Sequence, residues 1–280
     1  MPAITVVGST NLDLVATTSR LPKPGETVIA SDLGRYPGGK GANQALAARR
    51  AGSQVALIAA VGNDPVAQEA LHVLQESGVD LSGLVVTSDP TGTALVTVDE
   101  KGENQIVVFP GANASLAPEH VRVSAADIVL CQLEIPMETV AAAASTEGLF
   151  CLNAAPASTV PDEIMDKVDL LIVNEVERDT LGESLRNLSA LVVVTMGAAG
   201  AKAFRSGRLV AEAHPPPVVS VDTVGAGDAF CGALVTALAF ERSVASALEW
   251  ACAAGALATT RRGAQPSLPM AKEIDAAAGL

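Results

Sequence analysis

Six continuous apolar runs, at residues 4–7, 55–60, 128–132, 149–153, 170–173 and 191–195, constrain this chain more than any other feature. Each is short for a helix and shows no polar alternation, the pattern of a strand buried on both faces. Stretches of helical periodicity or helix-rich composition separate them, at 42–51, 65–77, 137–145, 229–240 and 244–259. Such alternation predicts a mostly parallel central sheet with helices on both sides, a three-layer α/β/α sandwich. Two segments break the rhythm. Residues 27–36 and 93–109 read as short antiparallel strands, the second pair joined by a hairpin turn through Asp99, Glu100, Lys101, Gly102, Glu103 and Asn104. They fit a small sheet that covers something better than they fit the main core. Pro215-Pro216-Pro217 reads as a stiff connector. The chain of 280 residues is expected to form one domain over 1–280, with covering segments at about 14–37 and 92–110.

Composition removes several classes of function. Hydrophobic residues make up 49%, yet no uncharged apolar run reaches the length of a membrane span, roughly 18 residues. The start, Met1 to Gly8, carries no basic segment and enters a strand-like run at once, which predicts no signal peptide and a cytoplasmic protein. On that basis the sequons at Asn113 and Asn187 are expected to go unglycosylated. Cys131, Cys151, Cys231 and Cys252 show no C-x-x-C pairing, so they read as buried, reduced thiols rather than zinc ligands or a dithiol redox pair. Three scattered histidines argue against a His-rich metal site and a Ser-His-Asp hydrolase. A formal net charge of −13 repels nucleic acid, and no basic stripe with interleaved aromatics is present. An anionic ligand must therefore be held by local amides, a metal ion or a single well-placed cation.

Polar and glycine-rich insertions follow the predicted strands. Gly8 to Asp13 places Asn11 and Asp13 just past the first run, where open α/β sheets bind ligands, although an Asx turn explains them equally well. Gly38-Gly39-Lys40-Gly41-Ala42-Asn43 opens the next helix. It is neither a Walker loop, since Gly41 stands where Ser or Thr should follow the lysine, nor a dinucleotide fingerprint. It offers close backbone approach at Gly39, a cation at Lys40 and an amide at Asn43, which suits a compact hydroxylated ligand. Gln132-Leu133-Glu134 and Asn174-Glu175-Val176-Glu177 also follow strands, and such groups can hold a hydrated Mg²⁺ or simply act as acids at a helix N-terminus. Thr195-Met196-Gly197 comes next. Last, Asp228 follows Gly225-Ala226-Gly227 at the mouth of an apolar helix. Asp is a favoured N-cap, but a carboxylate there also sits inside the anion site that helix amides form. Six insertions converging on one sheet edge favour a site over six independent caps.

Together these residues resemble the ribokinase-like (PfkB) carbohydrate kinases. The resemblance is carried by Gly38 to Asn43, Gln132 to Glu134, Asn174 to Glu177, Asp222 to Asp228 and Arg261 to Ser267. It implies a central sheet flanked by helices with a β-sheet lid, and transfer of the γ-phosphoryl of ATP to a sugar, D-ribose to ribose 5-phosphate being the expected reaction. It implies that Asn11, Asp13, Gly39, Lys40, Asn43 and Glu134 hold the sugar. Asp228 would be the base on its hydroxyl, with the amides of Gly225, Ala226 and Gly227 as the anion hole. Asn174, Thr195, Gly197, Thr223, Gly227 and Cys252 would line the nucleotide site. Glu177 would help to place Mg²⁺ through water. A K⁺ ion would be held by Asp222, Ser267 and the carbonyls of Val224, Ala258, Arg261 and Gly263; the competing reading pairs Asp222 with Arg261 or Arg262. A homodimer through the lids is implied as well.

Cys252 stands where similar proteins often carry Asn beside the adenine, and the segment 181–190 is shorter than usual. Deoxyribose, fructose or adenosine are the alternative acceptors. With 2% aromatic residues the chain is poorly supplied for stacking a purine nucleoside. A silent sugar-binding sensor is a further alternative, and the intact Asp228 speaks against it. From the helix dipole alone, Asp228 is expected to be a weak base held in its ionised form.

Overall fold

The computed structural model describes residues 3–100, 102–123, 128–185 and 188–280. The chain runs through β1 (Ala3–Val7), β2 (Asn11–Thr18), β3 (Asp32–Gly38), α1 (Lys40–Arg50), β4 (Gln54–Gly62), α2 (Pro65–Glu76) and β5 (Asp80–Thr87). It continues through β6 (Gly92–Asp99), β7 (Asn104–Phe109), β8 (Ile128–Cys131), α3 (Met137–Ala143), β9 (Leu149–Asn153), α4 (Asp162–Met165), β10 (Leu170–Asn174) and α5 (Glu175–Leu181). The last elements are β11 (Leu191–Thr195), β12 (Ala201–Arg205), β13 (Arg208–Ala213), α6 (Ala226–Ala239), α7 (Val244–Ala258), α8 (Ala264–Ser267) and α9 (Ala271–Ala278).

All six apolar runs are central strands. The main sheet has the order β13-β12-β11-β10-β9-β8-β1-β4-β5, parallel except for β12, which is antiparallel to both β11 and β13. Successive residues of each run face opposite sides. Ile4, Val6, Ile128 and Leu130 join one buried cluster with α1, α2, α6, α7 and α9. Val7, Val129 and Cys131 join a second with α3 and α4. Burial on both faces is why these strands carry no polar alternation. Helices α1, α6 and α7 meet through small side chains, among them Ala45, Ala48, Ala233, Ala237, Ala251 and Ala254, all buried. Small side chains at a helix contact shorten the distance between axes.

The second sheet is larger than the sequence suggests. It has the order β3-β2-β6-β7, and β2 pairs with β6 in parallel. Residues 27–31 are not a strand, whereas Asn11 to Thr18 are one, of which only 14–18 fall within the expected covering segment. The hairpin from β6 to β7 is present, with Lys101 of its turn outside the described residues. Three further strands escaped the sequence reading, β5, β12 and β13. All lie at or near sheet edges, where polar residues such as Asp80, Lys202 and Glu212 interrupt the apolar pattern. Of the two sequons, Asn187 lies outside the described residues and Asn113 is fully buried. Among the described residues no helix is long and apolar enough to cross a membrane.

Candidate active site

The strand order reverses at β1, whose neighbours are β4 on one side and β8 on the other. A crevice opens beyond the carboxyl ends of strands at such a point, and ligands of open α/β sheets bind there. Gly8 to Thr10 leave β1 here, and Gln132 to Glu134 leave β8. A cavity of about 710 Å³ lies over this edge, with the small sheet as its cover. Asn11, Asp13, Gly39, Lys40, Asn43, Glu134, Thr223, Gly225 and Asp228 all line it. The chain's first third, its middle and its last quarter meet in one cavity.

The N-terminus of α1 is closed to anions. The Lys40 amide donates to Glu134 Oε2 (3.1 Å), that of Gly41 to Ser9 Oγ (3.3 Å), and that of Ala42 to the Ser9 carbonyl (2.9 Å). Ser9 Oγ also donates to Glu134 Oε2. Gly39 precedes this helix at φ 87°, and a Cβ there would stand 2.8 Å from the Asn11 amide nitrogen. Only glycine fits that approach.

The N-terminus of α6 is arranged differently. Gly225 caps it at φ 81° with no side-chain cap, and Asp228 is its third residue, not the N-cap that a helix start would favour. The Ala226 amide closes a turn on the Thr223 carbonyl (3.2 Å). Of the three amides expected to bind an anion, those of Gly225 and Gly227 have no hydrogen-bond partner among the described residues. Unsatisfied donors at the positive end of a helix dipole attract anions.

Asp228 is buried, and each of its oxygens accepts an amide from α1. Oδ2 accepts from Asn43 Nδ2 (2.9 Å) and Oδ1 from Gln44 Nε2 (2.9 Å). Burial pushes its carboxyl above the usual range, against the pull of Lys40 and the two amides. Asp228 is therefore a stronger base than the helix dipole alone predicts. Asp13 is raised to about 7, by burial first and then by the charges of Glu134 and Asp228. Lys40 is raised because Asp228, Glu134 and Glu177 surround it and outweigh its own burial.

The other expected site residues sit further along the same edge or away from it. Asn174 and Thr195 are register partners at the ends of β10 and β11, and Gly197 follows. Asn174 and Glu177 form a capping box on α5. Asn174 Oδ1 accepts from the Glu177 amide and Glu177 Oε2 from the Asn174 amide, both at 2.8 Å. Cys252 is buried on α7, its thiol turned to the Ala213 carbonyl at 3.7 Å. It does not line the cavity. Asp222 accepts the amides of Val224 (3.0 Å) and Gly263 (2.8 Å). Arg261 pairs with Glu273 instead of Asp222. Ser267 Oγ donates to the Ala264 carbonyl (2.7 Å).

Sequence reasoning passed over Gln44, Ser9 and Asn113. Asn113 accepts from the Thr10 amide (2.9 Å) and donates to Asn11 Oδ1 (2.8 Å). That contact fixes which end of the Asn11 amide is free. Gln44 stood beside a quoted motif, and its adjacency to Asn43 was the one available signal.

The model of the pfkB family carbohydrate kinases matches residues 1–271. The chain belongs to this family. Similarity runs over the whole of this carbohydrate kinase. It is 36% identical to the ribokinase of Bacillus subtilis (strain 168), over 98% of this chain and 99% of that one. The crystal structure of a ribokinase from Thermotoga maritima superposes with a TM-score of 0.91 at 34% identity, covering 100% of both chains. An Arabidopsis thaliana ribokinase complexed with ribose and ATP superposes with a TM-score of 0.86 at 30% identity, covering 100% of this chain and 99% of that one.

Proposed function

We propose that this carbohydrate kinase phosphorylates D-ribose to ribose 5-phosphate with ATP. One observation carries the reading. A set of polyol-binding groups and the unsatisfied amides of a helix N-terminus share one cavity, with a buried carboxylate between them. Carboxylates and amides accept and donate to hydroxyls, so Asn11, Asp13, Gly39, Lys40, Asn43 and Glu134 hold the sugar. Asp228 orients the acceptor hydroxyl and takes its proton as the oxygen attacks the γ-phosphorus and ADP leaves. The amides of Gly225 and Gly227 face the charge of the migrating phosphoryl, with Lys40 the nearby cation. Phosphoryl transfer depends mainly on such positioning and charge stabilisation. The lining contains one aromatic residue, Tyr36, among the described residues, which favours a bare sugar over a stacked nucleoside.

The nucleotide extends from α6 toward Thr223, Asn174, Thr195 and Gly197. Cys252 contributes apolar bulk behind that surface. Glu177 fits a hydrated Mg²⁺ beside the phosphates, since the Asn174 amide engages only one of its two oxygens. Bound there, the metal would neutralise phosphate charge. Asp222 fits a K⁺ ligand. It bonds the amides of Val224 and Gly263, so the two segments that would supply carbonyls are already stapled together. Ala258, Arg261 and Ser267 complete that set, whose task is to hold the loop carrying Gly225 to Gly227.

The small sheet supports a homodimer. Side chains of β6 and β7 that point away from the cavity include Leu95, Val107 and Phe109, and Leu33 of β3 is exposed on the same small sheet. A contiguous apolar face of this kind marks an interaction surface. The four cysteines are free and buried, which suits a reducing cytoplasm.

The test is ADP release with Mg²⁺-ATP and ribose, deoxyribose, fructose or adenosine. Ribose should give the highest kcat/KM by at least about tenfold, a margin a site built for its hydroxyls supplies. A preference for any other acceptor would displace this reading.

A further inference from the structure

Behind Asp228 runs a chain of amides that no sugar or phosphate contact uses. Gln44 is fully buried and does not line the cavity. The two hydrogens of its Nε2 go to Asp228 Oδ1 and to Asn153 Oδ1, both at 2.9 Å. Its Oε1 accepts from Gln132 Nε2 at 2.7 Å. Asn153 is fixed in turn, because its Nδ2 donates to the Ile172 carbonyl at 3.1 Å. Asn153 orients Gln44, and Gln44 orients Gln132, whose own Oε1 is buried without a hydrogen-bond partner among the described residues. A flipped Gln44 would aim its carbonyl oxygen at the carboxylate and its N–H₂ at that of Gln132, losing three hydrogen bonds at once.

We infer that Gln44, locked by Gln132 and Asn153, is the positioning residue of Asp228, holding it ionised and in plane before the sugar arrives. The inference rests on the reading of Asp228 as the base. Burial pushes this carboxyl up, toward the protonated form that cannot accept a proton. Of the charged groups around it, Lys40 on α1 opposes that tendency and Glu134 after β8 reinforces it, while Asp13 on β2 is itself raised by the charge of Asp228. Cys231, one turn along α6, stays neutral because burial holds its thiol far above its usual range. Lys40 is the strongest influence keeping the base charged, and the hydrogen bonds from Gln44 and Asn43 add to it.

The same geometry directs the proton. A proton on Oδ1 would meet the N–H of Gln44, donor against donor. Oδ2 also holds an N–H, from Asn43, but Asn43 lines the cavity and its own Oδ1 has no hydrogen-bond partner among the described residues. Its amide can turn to accept from a proton on Oδ2, which the fixed Gln44 cannot do for Oδ1. A proton removed from the sugar hydroxyl therefore goes to Oδ2. Gln44, Gln132 and Asn153 accept no proton at ordinary pH, so it leaves only by the cavity.

The experiment is kcat against pH, at saturating sugar and Mg²⁺-ATP, for the native chain, Gln44→Met, Gln132→Met and Asp228→Asn. Losing one hydrogen bond to a charged group should move the acid limb of kcat upward by about one to two pH units in Gln44→Met. Rates should recover at high pH, with the sugar KM nearly unchanged. Gln132→Met unlocks the orientation from one step back, so its limb should move the same way and less far. It also decides the matter should Gln44→Met fail to fold. An unmoved limb, or a loss equal at every pH, would overturn the inference. Asp228→Asn separates the two layers. Near-native turnover there removes the base itself, whereas an inactive Asp228→Asn beside an unmoved Gln44→Met limb removes the role of Gln44 alone.

Discussion

Asn43 Nδ2 lies 2.9 Å from Asp228 Oδ2, a bond between residues 185 positions apart that joins the first turns of α1 and α6. It ties the half of the site suited to hydroxyls to the half suited to anions. The two helix starts divide the work. Ser9 and Glu134 satisfy the first amides of α1, while α6 keeps free donors beside its carboxylate. Free amide donors therefore lie at α6, although the glycine-rich segment before α1 looks the better anion cradle in sequence.

Asn113 should govern sugar affinity without touching sugar. Its amide clamps Thr10 and holds Asn11 Oδ1, so Asn113→Ala strands buried groups worth about 1–3 kcal/mol. Steady-state kinetics should show a ribose KM raised by roughly five-fold or more on that scale, with kcat changed far less. An unaltered KM would mean that Asn11 keeps its orientation unaided.

Much of this was legible beforehand, for definite physical reasons. A strand buried on both faces must be apolar throughout, so the runs ending at Val7, Gln132, Asn153 and Thr195 announced the sheet core. Asp228 stood out only in company: alone, a carboxylate after Gly-Ala-Gly reads as a helix cap, and it was the other insertions following strands that favoured a site. The strand beginning at Asn11 was not visible. Its hydrogen bonds go to β3 and β6, and its residues mix Asp13 and Thr17 with Leu12 and Val15. Gln44 and Asn113 were hidden for a related reason. Their partners stand about a hundred residues or more away, and no local pattern encodes that distance.

Asp13 should make stability depend on pH. Burial and the neighbouring Glu134 and Asp228 raise its carboxyl from 3.8 to about 7. The folded chain then holds a proton that the unfolded chain releases near pH 4. That stabilisation is complete below about pH 4 and is lost as pH rises through about 7, at up to roughly 1.4 kcal/mol per pH unit. Asp13→Asn should flatten the decline in Tm between pH 5 and 7, relative to the native chain. Parallel Tm profiles would exclude a raised Asp13.

The outer face of the small sheet should set the oligomeric state. Leu95 and Val107 are cross-strand partners, and both are more than half exposed. Light scattering at micromolar concentration should give a dimer, and Val107→Glu should give a monomer, since a charge inside an apolar interface is costly to bury. A native monomer would remove the dimer.

Potassium should activate. At constant ionic strength, replacing K⁺ by tetramethylammonium, which is too large to enter a cage of carbonyls, should lower kcat, because the loop before α6 loses its brace. Asp222→Asn should abolish the difference between the salts. Equal rates of the native chain in both would reject the site.

The central claim is that Asp228 takes the sugar's proton, and Asp228→Asn tests it most directly. The substitution preserves size and retains an oxygen for the α1 amides, yet removes the base. Measured beside ribose binding by calorimetry, kcat should fall by about 10²–10⁴-fold while the ribose Kd changes only a few-fold. Turnover within a few-fold of the native rate, with ribose still bound, would contradict the account.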